Sequence, residues 1–101
     1  MKPYRFLEEA DAEFHEQIAY FDQQAEGLAD RFVANVEATV RHIREYPESG
    51  SSLSGSVRKR VLRVFKYNVL YINRPEEILI IAVAPHKRHP HYWRKRLRSH
   101  R

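Results

Sequence analysis

The residues best suited to chemistry in this 101-residue chain form one cluster after its last apolar run. The cluster extends from His86 to Arg94 and reads His-Lys-Arg-His-Pro-His-Tyr-Trp-Arg. Imidazoles exchange protons near neutral pH, and guanidinium and ammonium groups bind phosphate and carboxylate oxygens. Such a cluster can grip a polyanion or an acidic protein segment. It can also supply the acids, bases and cations that cleave RNA.

Charge is divided unevenly along the chain. Residues 1–50 carry eleven acids and five bases, a net charge of −6, whereas residues 51–101 carry two acids and thirteen bases, a net charge of +11. The basic half attracts anions through its summed field, and both nucleic acid and an acidic protein segment fit that field. The chain has no cysteine, which excludes disulfides and cysteine-based zinc or redox sites.

Length and hydropathy narrow the class of protein further. A chain of this length with 43% apolar residues predicts one domain, residues 1–101, with a single modest core. The N-terminus lacks a signal pattern and no apolar run approaches the ~20 residues of a membrane span, so we expect a cytoplasmic protein without a membrane partner. The three histidines of the cluster lack metal-ligand spacing and a nearby carboxylate, so we expect no metal and no other cofactor.

Two helices are predicted from apolar residues that recur at steps of three and four positions. The first extends from Ala10 to Ala25, with Glu13 among the acids of its solvated face. The second extends from Leu28 to Tyr46, because Pro47 disfavours helix in the residue before it. Gly27 separates the two, which predicts a helical hairpin.

Four strands are predicted: Tyr4 to Leu7, Val57 to Phe65, Tyr67 to Asn73 and Ile78 to Ala84. The serine- and glycine-rich stretch from Glu48 to Ser56 is typical of a loop. Consecutive strands with short connections pair antiparallel, and the last strand, apolar on both faces, belongs in the centre of the sheet. A short basic helix is predicted from Tyr92 to Arg98. The sequence therefore predicts an α+β fold of order β-α-α-β-β-β with a short C-terminal helix, its helical hairpin packed on one face of an antiparallel sheet.

The strand from Val57 to Phe65 carries cations that alternate with apolar residues. These cations are Arg58, Lys59, Arg60 and Arg63. The pattern is typical of an edge strand protected from aggregation by charge, and it also fits a binding face for an anion or a protein partner. In the tail we expect Trp93 to pack against the sheet edge or the helices, whereas Tyr92 is equally suited to packing and to stacking on a base.

The order of elements and several short segments resemble the RelE/ParE superfamily of bacterial toxins from type II toxin–antitoxin modules. The segments are Gly27-Leu28-Ala29-Asp30-Arg31-Phe32, Ile43-Arg44-Glu45-Tyr46-Pro47, Arg60 to Tyr71 and Ile81 to Trp93. The tail pattern His86-x-Arg88-x-Pro90-x-Tyr92-Trp93 is more similar to ParE-like than to RelE-like members. The resemblance implies one partner, an antitoxin whose acidic, partly disordered segment wraps the toxin.

The superfamily contains two unlike activities. RelE-like members are ribosome-dependent endonucleases that cleave mRNA, and ParE-like members inhibit DNA gyrase and cleave nothing themselves. For a ribonuclease the resemblance implies a catalytic set of Arg63, His86, Arg88 and Tyr92. This chain departs from the RelE-like pattern, because Asn68 stands where an arginine follows the hairpin tyrosine and Val61 stands where a second strand lysine is expected. An amide and an alkyl group supply no charge to a phosphate.

These departures favour a gyrase-directed toxin that is not itself an enzyme. Such a toxin would bind its partners, the antitoxin and gyrase, through the basic strand and the tail. The residues we assign to partner binding are Arg58, Lys59, Arg60, Arg63, Arg88, Tyr92 and Trp93. A ribosome-dependent mRNA endonuclease remains the alternative, and a small basic binding module without toxicity is a third interpretation.

Overall fold

The structure, a computed structural model, describes residues 1–99. Its elements are β1 (Tyr4–Phe6), α1 (Glu8–Gln24), α2 (Leu28–Glu45), β2 (Ser51–Ser54), β3 (Val57–Val61), β4 (Tyr67–Asn73), β5 (Ile78–Pro85) and α3 (Arg94–Ser99). The predicted α+β class, the helical hairpin and the short C-terminal helix are confirmed. One strand, β2, was not predicted.

The five strands form one sheet in the order β1-β5-β4-β3-β2. β1 runs parallel to β5, and the other neighbours are antiparallel. β5 lies inside the sheet, as its apolar sequence predicts. The prediction of a loop from Glu48 to Ser56 is wrong in part, because Ser51–Ser54 pairs with β3. The hydrogen bonds that define this strand come from its neighbour, so serine-rich composition does not indicate it.

The extra strand changes the environment of the basic strand. β3 lies between β2 and β4, so the interpretation of β3 as an edge strand is wrong. β3 also ends at Val61 rather than Phe65, which places Arg63 in the connection to β4. The C-terminal helix likewise begins at Arg94, and Tyr92 lies in the turn before it.

The helical hairpin covers one face of the sheet. Gly27 has φ +78°, a left-handed conformation that lets α1 end and α2 begin within a few residues. The shared core contains residues of both helices and of β4 and β5, among them Phe14, Phe32, Val36, Val40, Ile43, Val69, Tyr71, Ile80 and Val83. This core is the one that the apolar stripes of the two helices predict.

The opposite face is covered by the C-terminal tail. A second cluster there joins Trp93 and Leu97 to sheet residues that include Val57, Leu70, Leu79 and Ile81. Both faces of β5 are therefore buried, which explains its unbroken apolar sequence. The register of β5 shifts between Leu70 and Tyr71 of β4, so one extra residue, Ile81, is accommodated as a bulge.

The connection from α2 to β2 is fixed by hydrogen bonds to the sheet. The hydroxyl of Tyr71 accepts the amide N–H of Gly50 at 3.0 Å and donates to the carbonyl of Pro47 at 2.8 Å. The guanidinium of Arg58 donates to the carbonyls of Glu48 and Gly50 at 3.2 and 2.8 Å. Gly50 is buried at the centre of these contacts.

We expect Gly50→Ala to destabilise the fold by about 1–3 kcal/mol, the usual cost of overpacking. A Cβ at this position would lie 2.7 Å from the hydroxyl oxygen of Tyr71 and 2.9 Å from the carbonyl oxygen of Lys59. Urea unfolding measures the change. Ser49→Ala, at the exposed neighbouring position, is the control, and equal midpoints for the two variants would contradict the prediction.

Candidate functional site

The tail turns back over the sheet directly after β5. The amide N–H of His86 donates to the carbonyl of Lys66 at 3.0 Å, and its ring Nε2 lies 3.1 Å from the carbonyl oxygen of Tyr67. The amide of Arg88 donates to the carbonyl of Pro85 at 3.0 Å, which closes the turn. Side chains at positions 86–89 are exposed at this end of the sheet.

Trp93 anchors the tail. Its side chain is only 2% exposed, and its indole N–H donates to the carbonyl of Pro90 at 2.9 Å. The expectation that Trp93 packs as an anchor is confirmed, although it packs on the sheet face opposite the hairpin. In this conformation its ring is not accessible to a partner.

A buried ion pair joins the tail to α1. Two nitrogens of Arg96 contact the two carboxylate oxygens of Glu13 at 3.0 and 3.1 Å, and the side chains are only 15% and 10% exposed. Glu13 also accepts the amide N–H of Val83 at 2.9 Å, and Arg96 donates to the carbonyl of Ile81 at 2.9 Å. The hydroxyl of Tyr92 donates to the same carboxylate.

This ion pair completes the hydrogen bonding of β5. β1 pairs with β5 only as far as Phe6 opposite Ile80, so the edge of β5 beyond that point has no strand partner among residues 1–99. At that edge the carboxylate of Glu13 accepts the amide N–H of Val83, and the guanidinium of Arg96 donates to the carbonyl of Ile81. The prediction of Glu13 as a solvated acid is therefore wrong. One signal pointed to it: Glu13 lies three residues after buried Ala10, on the apolar stripe of α1.

The environment of Tyr92 holds its hydroxyl in the protonated form. Burial, followed by the hydrogen bond to Glu13 and the charge of that carboxylate, raises the pKa of Tyr92. The guanidinium groups of Arg88 and Arg96 lie 4.2 and 4.9 Å from the centre of the Tyr92 ring and oppose this shift. The ring thus contributes cation–π contacts and a committed hydrogen-bond donor.

A cleft of about 120 Å³, here called the tail cleft, lies between the sheet and the tail on the face opposite the hairpin. Its lining includes Lys59, Asn68, Leu70, His86, Arg88, His89, Tyr92 and Trp93. The structure thus brings together three of the four residues predicted for a ribonuclease, His86, Arg88 and Tyr92. Arg63 lies exposed in the β3–β4 connection and does not line the cleft.

The basic residues of β3 do not share one face. Lys59 pairs with Leu70 across the strands and faces the tail cleft. Arg58 and Arg60 alternate with it and lie toward the hairpin side. Arg58 is bound to loop carbonyls, and the Nε of Arg60 is buried without a hydrogen-bond partner in the structure. Their assignment to partner binding stays a prediction.

A second candidate surface surrounds Val64 and Phe65 in the β3–β4 connection, here called the Val64 ridge. Val64 is 78% exposed, and open grooves of about 950 and 600 Å³ lie beside the ridge. Apolar side chains along these grooves include Tyr20, Phe21, Leu28, Ala34 and Ala38. The sequence placed Val64 within a strand, so its exposure was not predicted.

Within residues 1–99 there is neither a candidate metal site nor a candidate membrane-spanning helix. No group of three or more histidine, aspartate or glutamate side chains in this range is placed to hold a metal ion. No helix in the same range is both long and apolar enough to cross a membrane.

We expect Glu13→Gln to lower the free energy of unfolding by about 3–5 kcal/mol, because it leaves the charge of Arg96 buried and unpaired. Chemical denaturation measures the loss. Glu16→Gln, at an exposed position of the same helix, is the control and should stay within about 0.5 kcal/mol of the parent. A double-mutant cycle with Arg96→Met isolates the pair, and additive losses would show that the two side chains are not coupled.

Comparison with known proteins gives the family. The sequence model of the family described as the ParE toxin of the type II toxin–antitoxin system parDE matches residues 4–90. No curated protein matches the chain. A solved chain from the chromosomal ParDE TA system of P. aeruginosa has the same fold, with a TM-score of 0.71 and 17% identity over 84% of this chain and 96% of that chain. Because the family model spans most of the sequence, this chain belongs to the ParE toxin family of type II toxin–antitoxin systems.

Proposed function

We propose that this ParE-family toxin acts in the cytoplasm by inhibiting DNA gyrase, and that a cognate antitoxin neutralises it by direct binding. The observation that carries the proposal is that the side chain of Tyr92 has a structural role. Its hydroxyl is bonded to Glu13, and its pKa is raised by burial and by that contact. The tail aromatic that a ribonuclease would use for catalysis is therefore occupied in holding the tail in place.

The cation set for RNA cleavage is also incomplete. In-line attack on a phosphodiester needs positive charge where negative charge develops. Asn68 lines the tail cleft with a neutral amide, and Arg63 lies outside it. Arg96 is neutralised by Glu13. These features support a toxin that binds its target over an mRNA endonuclease.

The tail offers a surface for the target. Arg88, Arg94 and Lys95 are exposed along it, and none of them forms an ion pair with a described residue. We propose that these cations, with Lys59 beside them, contact gyrase. We propose that the burial of Trp93 and the ion pair of Arg96 hold these cations in place before binding.

The antitoxin is proposed to cover the Val64 ridge. Apolar anchors surrounded by charge are typical of the centre of a protein–protein interface. Among residues 1–99, the cations Arg31, Lys66, Lys87 and Arg88 around the grooves beside the ridge outnumber the one acid, Glu16. An acidic segment with apolar side chains complements this surface in both respects.

The gyrase proposal predicts a trapped cleavage complex. Purified toxin, gyrase, ATP and supercoiled plasmid are incubated, and the mixture is then denatured. We expect linear DNA that depends on the toxin and disappears when antitoxin is added first. Reactions without gyrase and reactions with heat-denatured toxin are the controls.

Two other outcomes would reject gyrase inhibition. A preparation that arrests growth, traps no DNA and cuts mRNA on ribosomes would establish the endonuclease, with Arg63, His86, Arg88 and Tyr92 as its proposed residues. A chain that does not arrest growth when expressed without antitoxin would establish the binding module.

We expect Val64→Asp to raise the Kd for the antitoxin at least about tenfold, or ~1.4 kcal/mol. The change replaces an apolar anchor with a charge that repels an acidic segment, and the fold should tolerate it because the side chain is exposed. Isothermal titration measures the Kd. Val61→Asp is the matched control, since Val61 is half exposed and pairs across the strands with Asn68, away from the ridge. Equal affinities for the two variants would remove the ridge from the interface.

A further inference from the structure

The tail cleft has an unusual chemical lining for a concave surface of this protein. Its charged and titratable groups include Lys59, His86, Arg88 and His89, and no carboxylate of residues 1–99 lines it. The side chain of Lys59 is half buried and makes no hydrogen bond or ion pair with any residue from 1 to 99. Arg96, in contrast, is already bound to Glu13. The cleft therefore holds donors that lack acceptors.

A buried polar atom without a partner lies in the same wall. Asn68 lines the cleft, and its Oδ1 is fully buried and accepts no hydrogen bond from residues 1–99. Such groups are rare in folded proteins and usually mark a missing ligand, ion or water. A 180° rotation of the amide exchanges Oδ1 for the donor Nδ2, which then requires an acceptor. An anionic oxygen in the cleft satisfies that donor.

The dimensions of the cleft suit a small ligand. About 120 Å³ is the volume of roughly four water molecules in the liquid, which admits a small oxyanion. The floor is apolar, formed by Leu70, Ala84 and Trp93, so the donors at the rim are partly shielded from water. Donors around a shielded floor bind an anion more strongly than the same donors on a flat surface.

We propose that the tail cleft is a binding site for one phosphate group, with Lys59 and Arg88 as its cationic donors and Asn68 as its buried amide donor. The phosphate is free, belongs to a mononucleotide whose base and sugar stay outside the cleft, or belongs to a nucleic-acid backbone. Binding involves no bond breaking, since the hydroxyl of Tyr92 is held by Glu13. The site does not depend on gyrase or on the antitoxin.

Trp93 provides the readout, because it is the single tryptophan of the chain and forms part of the cleft wall. Its fluorescence is followed as potassium phosphate replaces potassium chloride at constant ionic strength and pH 7.5. We expect a saturable change with a Kd on the order of 1 mM. Side-chain amide signals of Asn68 in a ¹H–¹⁵N spectrum should shift over the same concentration range.

Variants test the donors. Lys59→Met keeps most of the apolar stem and removes the charge, and we expect it to raise the Kd at least about tenfold. Arg98→Met, at an exposed arginine of α3 that does not line the cleft, should bind phosphate as the parent does. Thermal unfolding of both variants confirms that each is folded before titration.

The source of the phosphate is distinguished by three probes: inorganic phosphate, adenosine 5′-monophosphate and an oligothymidylate without terminal phosphates. Tighter binding of the monophosphate indicates a nucleotide, binding of the oligonucleotide indicates a backbone, and binding of phosphate alone indicates a free ion. The proposal is overturned if fluorescence and Asn68 signals are both unchanged by every probe. It is also overturned if Lys59→Met binds phosphate as tightly as Arg98→Met.

Discussion

The position of the C-terminal tail depends on one buried ion pair. Removing two charges from water costs several kcal/mol each, and their attraction offsets this only with good geometry and additional hydrogen bonds. Glu13 and Arg96 meet that condition, because the bidentate pair also bonds the amide of Val83 and the carbonyl of Ile81. Neither side chain could stay buried alone. The pair thus fixes α1, the open edge of β5 and the tail as one unit.

Because a buried charge needs a partner, the basic residues around the tail and β3 fall into two groups. Arg58 and Arg96 are directed at carbonyls or a carboxylate and maintain the fold. Lys59, Arg88 and Lys95 keep their charges available at the surface or in the tail cleft. A basic composition therefore overstates the charge available to partners, and part of the available charge lies where the tail crosses the sheet. This arrangement suits recognition of acidic groups more than proton transfer.

Sequence reasoning predicts the elements whose signals are local. The apolar periodicity of α1 and α2 and the apolar run of β5 are enough to give the α+β class, the hairpin and the order of elements. Serine-rich β2 is missed because its pairing with β3 is not encoded in its own residues. Glu13 is misassigned because its partner lies far along the chain. For the candidate site, the sequence identifies the basic cluster that begins at His86. It does not show that Lys59 and Arg58 lie on opposite faces of β3. It also does not show that β3 ends at Val61, which leaves Arg63 outside the tail cleft.

The sequence distance between the members of the ion pair has a consequence for folding. Glu13 and Arg96 are 83 positions apart, so their contact closes almost the longest loop available in the chain. Closing such a long loop costs conformational entropy. We therefore expect this contact to form after the sheet, which brings the two ends of the loop together. During synthesis the carboxylate of Glu13 emerges well before its guanidinium partner. The open edge of the last strand is therefore covered only when the tail docks, and a strand edge without such cover is a site at which another extended chain can pair.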